Sequence, residues 1–166
     1  MPNTIKRTIL GLAILAAPLL APALKTQQGQ AMAPIPAQIL AAKNVFISNG
    51  SGECGTFYCS APDQSYSEFY SGMKNWGHYQ LATTPSDADV VFEIATPSVP
   101  GASPDVRLLI LDPKTRLALW TLDEYVKPAA RQTTARKNFS KAVSTLVQDV
   151  QKLTGAAPVA TGTPNK

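Results

Sequence analysis

The sequence is poor in the side chains that carry covalent and acid–base chemistry, with one histidine and two cysteines in 166 residues and only 16% charged residues. A single histidine cannot supply H-E-x-x-H, and neither G-x-S-x-G nor a P-loop occurs, so zinc-protease, serine-hydrolase and nucleotide-triphosphate chemistry lack their usual signatures. Two cysteines with His78 would leave a fourth zinc position to Glu53 or Asp63, without the paired spacing of zinc sites, so no metal and no cofactor is expected. Long apolar runs are missing beyond the N-terminal stretch, which leaves no candidate for a membrane-spanning helix there. No internal repeat is present.

What the chain does have begins at its N-terminus. Lys6 and Arg7, the apolar stretch Ile9 to Leu20 and the small residues Ala21-Pro22-Ala23 have the three-part form of a secretory signal, with a second cleavage site after Ala31. The apolar run is shorter than the roughly 20 residues of a membrane anchor and carries Gly11 and Pro18. No cysteine lies near either site to take a lipid, and Thr8 after Arg7 excludes a twin-arginine signal. The expectation is an exported chain, periplasmic or extracellular, with residues 1–31 removed as a signal and no stable membrane insertion afterwards. Lys6, Arg7 and Lys25 all precede Ala31 and no acid does, so the formal charge of +4 belongs largely to the leader. A near-neutral remainder lacks the basic footprint that phosphate backbones require, which argues against nucleic acid as a partner.

Residues 24–37 are rich in Gln, Ala and Pro without periodicity, and the tail has the same character. Neither can bury enough apolar surface to offset the entropy of ordering it, so 32–38 is read as a flexible linker and 155–166 as a disordered tail, flanking one α/β domain over 39–154. Within it Val45-Phe46-Ile47 reads as a first strand. Ser65 followed by Glu68 has the form of a capping box. Tyr66, Phe69, Tyr70, Met73 and Trp76 then fall three or four apart until Gly77, which predicts a helix with its aromatic stripe in the core. Tyr79–Ala82, Val90–Ala95, Val106–Leu111 and Leu117–Val126 read as strands. Asp112-Pro113-Lys114-Thr115 supplies turn chemistry between the last two, which predicts a hairpin. Phe139, Val143, Leu146, Val150 and Leu153 mark a final helix. The expected fold is α/β (α+β), a mixed sheet of four to five strands with two main helices packed on one face.

The stretch from Ser48 to Cys59, SNGSGECGTFYC, contains G-x-G-x-x-G after an apolar run. A dinucleotide loop needs those glycines to open a helix and an acid about 20 residues later. Here Thr56 to Pro62 intervene before any helical pattern, and the position 20 after Gly55 is Asn75. The remaining readings are a turn pinned by a Cys54–Cys59 disulfide, the simplest state of a close pair in an oxidising compartment, or free thiols. Gly50, Ser51, Gly52 and Gly55 form a candidate binding loop. The sharpest enzyme reading is a small secreted hydrolase using Cys54 or Cys59 with His78 as base, which requires a free thiol. Asp87, Asp89 and Glu93 invite comparison with paired carboxylates but are equally explained by turn-making and edge solvation. Lys127, Arg131, Arg136, Lys137 and Lys141 cluster at the start of the last helix, a solvated face or a candidate docking patch for an anion.

Four stretches, AKNVFISNG, MKNWGHYQL, SDADVVFEI and VRLLILDPKTRLALWTLDEYV, resemble small exported bacterial proteins of unassigned function. Over about Ala42 to Leu153 their strand and helix order is similar to the TolB N-terminal type of α/β domain found in cell-envelope assembly proteins. The resemblance implies a non-catalytic envelope accessory or protein-binding module with another envelope protein as partner, and it transfers no functional residue. The missing lipidated cysteine sets this chain apart from the lipoprotein members.

Overall fold

Alternating apolar residues build a five-stranded sheet from β1 (Asn44–Asn49), β2 (Gln80–Leu81), β3 (Val90–Ala95), β4 (Asp105–Leu111) and β5 (Ala118–Tyr125), in the order β2-β1-β3-β4-β5. The computed structural model describes residues 33–50, 52, 54–97 and 104–155. The expected signal over 1–31, Ser51, Glu53 and all but the first residue of the expected tail therefore lie outside the described residues. β1 pairs in parallel with β2 and β3, and β3, β4 and β5 form an antiparallel meander. The sheet is mixed, as the pattern of elements predicts.

Side chains alternate between the two faces of a sheet, so register decides which residues share one. Val45 and Ile47 lie beside Val90 and Phe92, Phe92 and Ile94 beside Ile110 and Leu108, and these beside Trp120 and Leu122. This face is covered by α2 (Gln64–Trp76) and α3 (Gln132–Leu153), whose Phe69, Met73 and Trp76, and Phe139, Val143, Leu146 and Val150, are buried in one cluster with it. The Phe69 and Phe92 rings sit 6.4 Å apart. Each such side chain taken from water contributes about 1.5–3 kcal/mol, which is why these stripes fix the helices on the sheet. The helices come close at Gly72, where an added Cβ would lie 2.9 Å from Val147 Cγ2. Gly77 ends α2 at φ 68°, with its N–H donated to Met73 O, as its place after the stripe predicts.

Three local expectations change. The Ser65–Glu68 capping box does not form: α2 begins at Gln64 with Asp63 at its N-cap position, and no side chain caps it. Gln64 instead spans the first turn, accepting from Ser60 N at 2.6 Å and donating to Glu68 Oε1 at 2.6 Å, while Ser65 is buried. α3 starts seven residues before Phe139, because Ala135 continues the buried stripe with too small a side chain to announce it. Finally, α1 (Ala37–Ala41) overlaps the segment read as linker up to residue 38. Ile39 is buried, and Gln38 Nε2 donates to Asp89 O at 2.9 Å and to Asp112 Oδ2 at 3.0 Å. One buried residue in a five-residue helix leaves no period to read.

Candidate interaction surface

At the end of β1 the backbone turns tightly against the end of β3. Gly50 N donates to Ile94 O at 2.6 Å, and a Cβ at Gly50 would lie 2.9 Å from that same oxygen. Gly52 has φ 116°, and its Cβ would meet Thr96 O at 2.3 Å. Cys54 and Cys59 are joined in a disulfide and both are buried. The stretch is thus a pinned turn, held by Gly50, Gly52 and the bridge. Gly55 has open space around its Cα, so glycine is not demanded there. The Gly50 N–H is spent on the sheet, and α2 begins only at Gln64, so no helix N-terminus follows the glycines.

The bridge leaves neither sulfur as a thiolate in this structure. His78 lies beyond the far end of α2, a helix of 13 residues and so about 20 Å long, where its ring stacks on Trp76 at 4.7 Å. Cysteines and histidine are therefore not brought together. The carboxylates do not converge either. Asp87 accepts from Thr84 Oγ1, Asp89 from Lys43 N and Asn44 N, and Glu93 from Arg116 Nη2 at 2.7 Å and Ser48 Oγ at 3.4 Å. The Asn44 N–H, then that of Lys43, holds the Asp89 carboxyl below its ordinary range. Among the described residues no group of three His, Cys, Asp or Glu could hold a metal.

The five cations divide. Arg136 Nη2 and Gln132 Nε2 donate to Thr56 O at 3.2 and 3.0 Å, tying α3 to the cystine turn, a link that no local spacing could signal. Arg131 is the N-cap residue of α3 and is exposed, as is Lys137. Lys127 and Lys141 line a cleft of about 100 Å³ with Glu124, Tyr125, Ala142 and Thr145, between the end of β5 and α3. Burial, and then the neighbouring Asp149 carboxyl, pushes Glu124 above its ordinary pKa, and Lys152 Nζ bonds Asp149 at 2.8 Å. The cleft mouth is therefore of mixed charge, not a single anion patch.

That cleft borders a sheet edge. Among the described residues β5 pairs with β4 alone. Val126 N donates to Pro104 O, and residues 125 to 120 run opposite 105 to 110. Hydrogen-bonded pairs alternate in an antiparallel ladder, so Trp120, Leu122 and Glu124 face β4, while the N–H and C=O of Thr121, Asp123 and Tyr125 point away from the sheet. Their side chains share the face opposite the helices, where Arg107 Nε bonds Asp123 Oδ1 at 2.5 Å. Leu117, just before β5, and Tyr125, its last residue, are the most exposed large apolar residues described, at 68% and 60%. A bulge at Leu119, opposite the step from Ile110 to Leu111, limits the regular ladder to residues 120–125.

No family model matches the chain, and no curated protein matches it. Among solved structures, a PelC dodecamer from Paraburkholderia phytofirmans is 15% identical, with a TM-score of 0.41 over 75% of this chain and 93% of that one. A variant of the same dodecamer in another crystal form gives 15% and 0.41, over 69% and 89%. A putative neuraminyllactose-binding hemagglutinin homolog from Helicobacter pylori gives 12% and 0.40, over 68% and 85%. At such scores the likeness assigns neither family nor function. No helix among the described residues is long and apolar enough to cross a membrane.

Proposed function

We propose that this chain is an exported accessory module of the cell envelope that binds protein by docking an extended segment along β5. The observation that carries the reading is the edge of β5 that is left unpaired among the described residues, where backbone donors and acceptors of alternate residues face outward beside a cleft. A segment adding there gains ladder hydrogen bonds from its own backbone and places alternate side chains toward α3. The secretory pattern at the N-terminus, the disulfide and the resemblance to the TolB N-terminal type of domain support the envelope setting.

The test recovers the protein from its native host. Intact mass is measured with thiol alkylation before and after reduction, and a photo-reactive side chain replaces Thr121. The expected result is a shortened N-terminus, thiols labelled only after reduction, and protein adducts at position 121 that a probe at exposed Lys74 does not give. A full-length chain with both thiols free overturns export. Turnover of a substrate abolished by Cys54→Ala or His78→Ala overturns the non-catalytic role.

A further inference from the structure

Resting on that reading, we infer that the strand docking on β5 is β5 of a second copy of this chain, antiparallel, with the two-fold axis through Leu122. A symmetric pairing must bring outward-facing residues opposite one another, which allows an axis at each residue from 121 to 125; one at Tyr125 leaves a single hydrogen-bonded pair within β5, and one at Glu124 sets Glu124 against Glu124 on the helix-covered face. An axis at Thr121 yields one hydrogen-bonded pair before each copy runs into the other's bulge at Leu119. An axis at Asp123 sets Asp123 directly against Asp123, with Cα atoms about 5.5 Å apart, and like charges so placed repel. An axis at Leu122 sets Thr121 against Asp123 twice, a hydroxyl donor against a carboxylate, with both N–H···O bonds exchanged in each pair. On the helix-covered face the same axis puts Leu122 against Leu122 and Trp120 against Glu124.

The exposed apolar residues fit that arrangement as well. Leu117 and Tyr125 stand at opposite ends of β5, so antiparallel pairing carries the Leu117 end of each copy beside Tyr125 and the cleft of the other. The sheet then runs unbroken through two copies, and neither retains the long free edge that invites indiscriminate pairing.

Sedimentation of the full chain tests this, with the mass of two chains expected at high concentration and that of one on dilution. Thr121→Pro removes an N–H that points away from β4, so the β4–β5 ladder and the thermal midpoint persist while self-association weakens at least about tenfold. Leu122→Cys places two thiols in a non-hydrogen-bonded pair, with Cα atoms about 4.5 Å apart, within disulfide reach. Oxidation is expected to give a covalent dimer, and Asp123→Cys is not. Should Leu122→Cys fail to fold, Thr121→Pro still decides. A monomer at every concentration, a dimer indifferent to Thr121→Pro, or a cross-link through Asp123→Cys in place of Leu122→Cys overturns the inference. A monomer whose position-121 probe still captures another envelope protein overturns this inference alone. A monomer with no such adduct, or one whose amides at 121, 123 and 125 are protected by the chain's own residues, overturns the docking reading too.

Discussion

Gly52 sits at φ 116° with the carbonyl oxygen of Thr96 where a Cβ would go, 2.3 Å away, so both its torsion and its space exclude a side chain. Gly55, three residues on, meets nothing within 4 Å. Gly52→Ala is therefore expected to lower stability by about 2–3 kcal/mol through strain and displacement of the β3 terminus. Gly55→Ala should stay within about 0.5 kcal/mol of the parent. Urea denaturation of the two variants checks both, and equal midpoints would show that the turn relaxes freely around residue 52. The bare spelling of the loop announces three glycines but not which of them the fold requires, because the deciding atoms belong to Ile94 and Thr96 at the end of another strand. The disulfide is legible because its partners are near neighbours. The hold of Arg136 and Gln132 on Thr56 is not, since α3 and the turn are brought together only by packing.

Among the elements, the β4–β5 hairpin is the clearest case of local chemistry fixing structure. Asp112 Oδ1 accepts from Thr115 N at 2.7 Å, Lys114 N at 2.9 Å and Thr115 Oγ1 at 3.1 Å, and Oδ2 accepts from Gln38. The Thr115 N–H, then the Gln38 amide, draws this carboxyl down to about 2. A carboxyl whose pKa is lower when folded stabilises the structure above its ordinary value of 3.8, and that contribution is lost as pH falls through about 2. Between those limits amide exchange at Lys114 and Thr115 should rise ahead of the central strands. Asp112→Asn should flatten the dependence, as exchange followed by NMR would show. An acid response unchanged in that variant would assign it elsewhere, Asp89 being the next lowered carboxyl. Asp-Pro-Lys-Thr could be read as a turn because every partner but Gln38 lies within three residues. The capping box misled for the same reason: Ser-x-x-Glu is local, but here Glu68 also accepts from Ser140 of α3 at 2.8 Å.

Over the whole molecule, the fold class and the seven main strand and helix runs follow from local pattern, yet the order of the strands does not, because parallel pairing leaves no local trace. β1 comes first along the chain but lies between β2 and β3. The meander β3-β4-β5 closes through neighbours, whereas β1 must find partners across long loops, and distant pairing is slow to form. Ile110→Val in the meander is then expected to slow folding, while Ile47→Val in β1 mainly speeds unfolding, each costing about 0.5–1.5 kcal/mol. Stopped-flow chevrons separate the two, and a slowed refolding limb for Ile47→Val would place β1 in the nucleus. Until β3 has been made, β1 has at most the two-residue β2 beside it. A chain cut short or stalled after α2 would thus present Val45, Phe46 and Ile47 with both strand edges open, a template for aggregation built from an interior strand of the finished sheet.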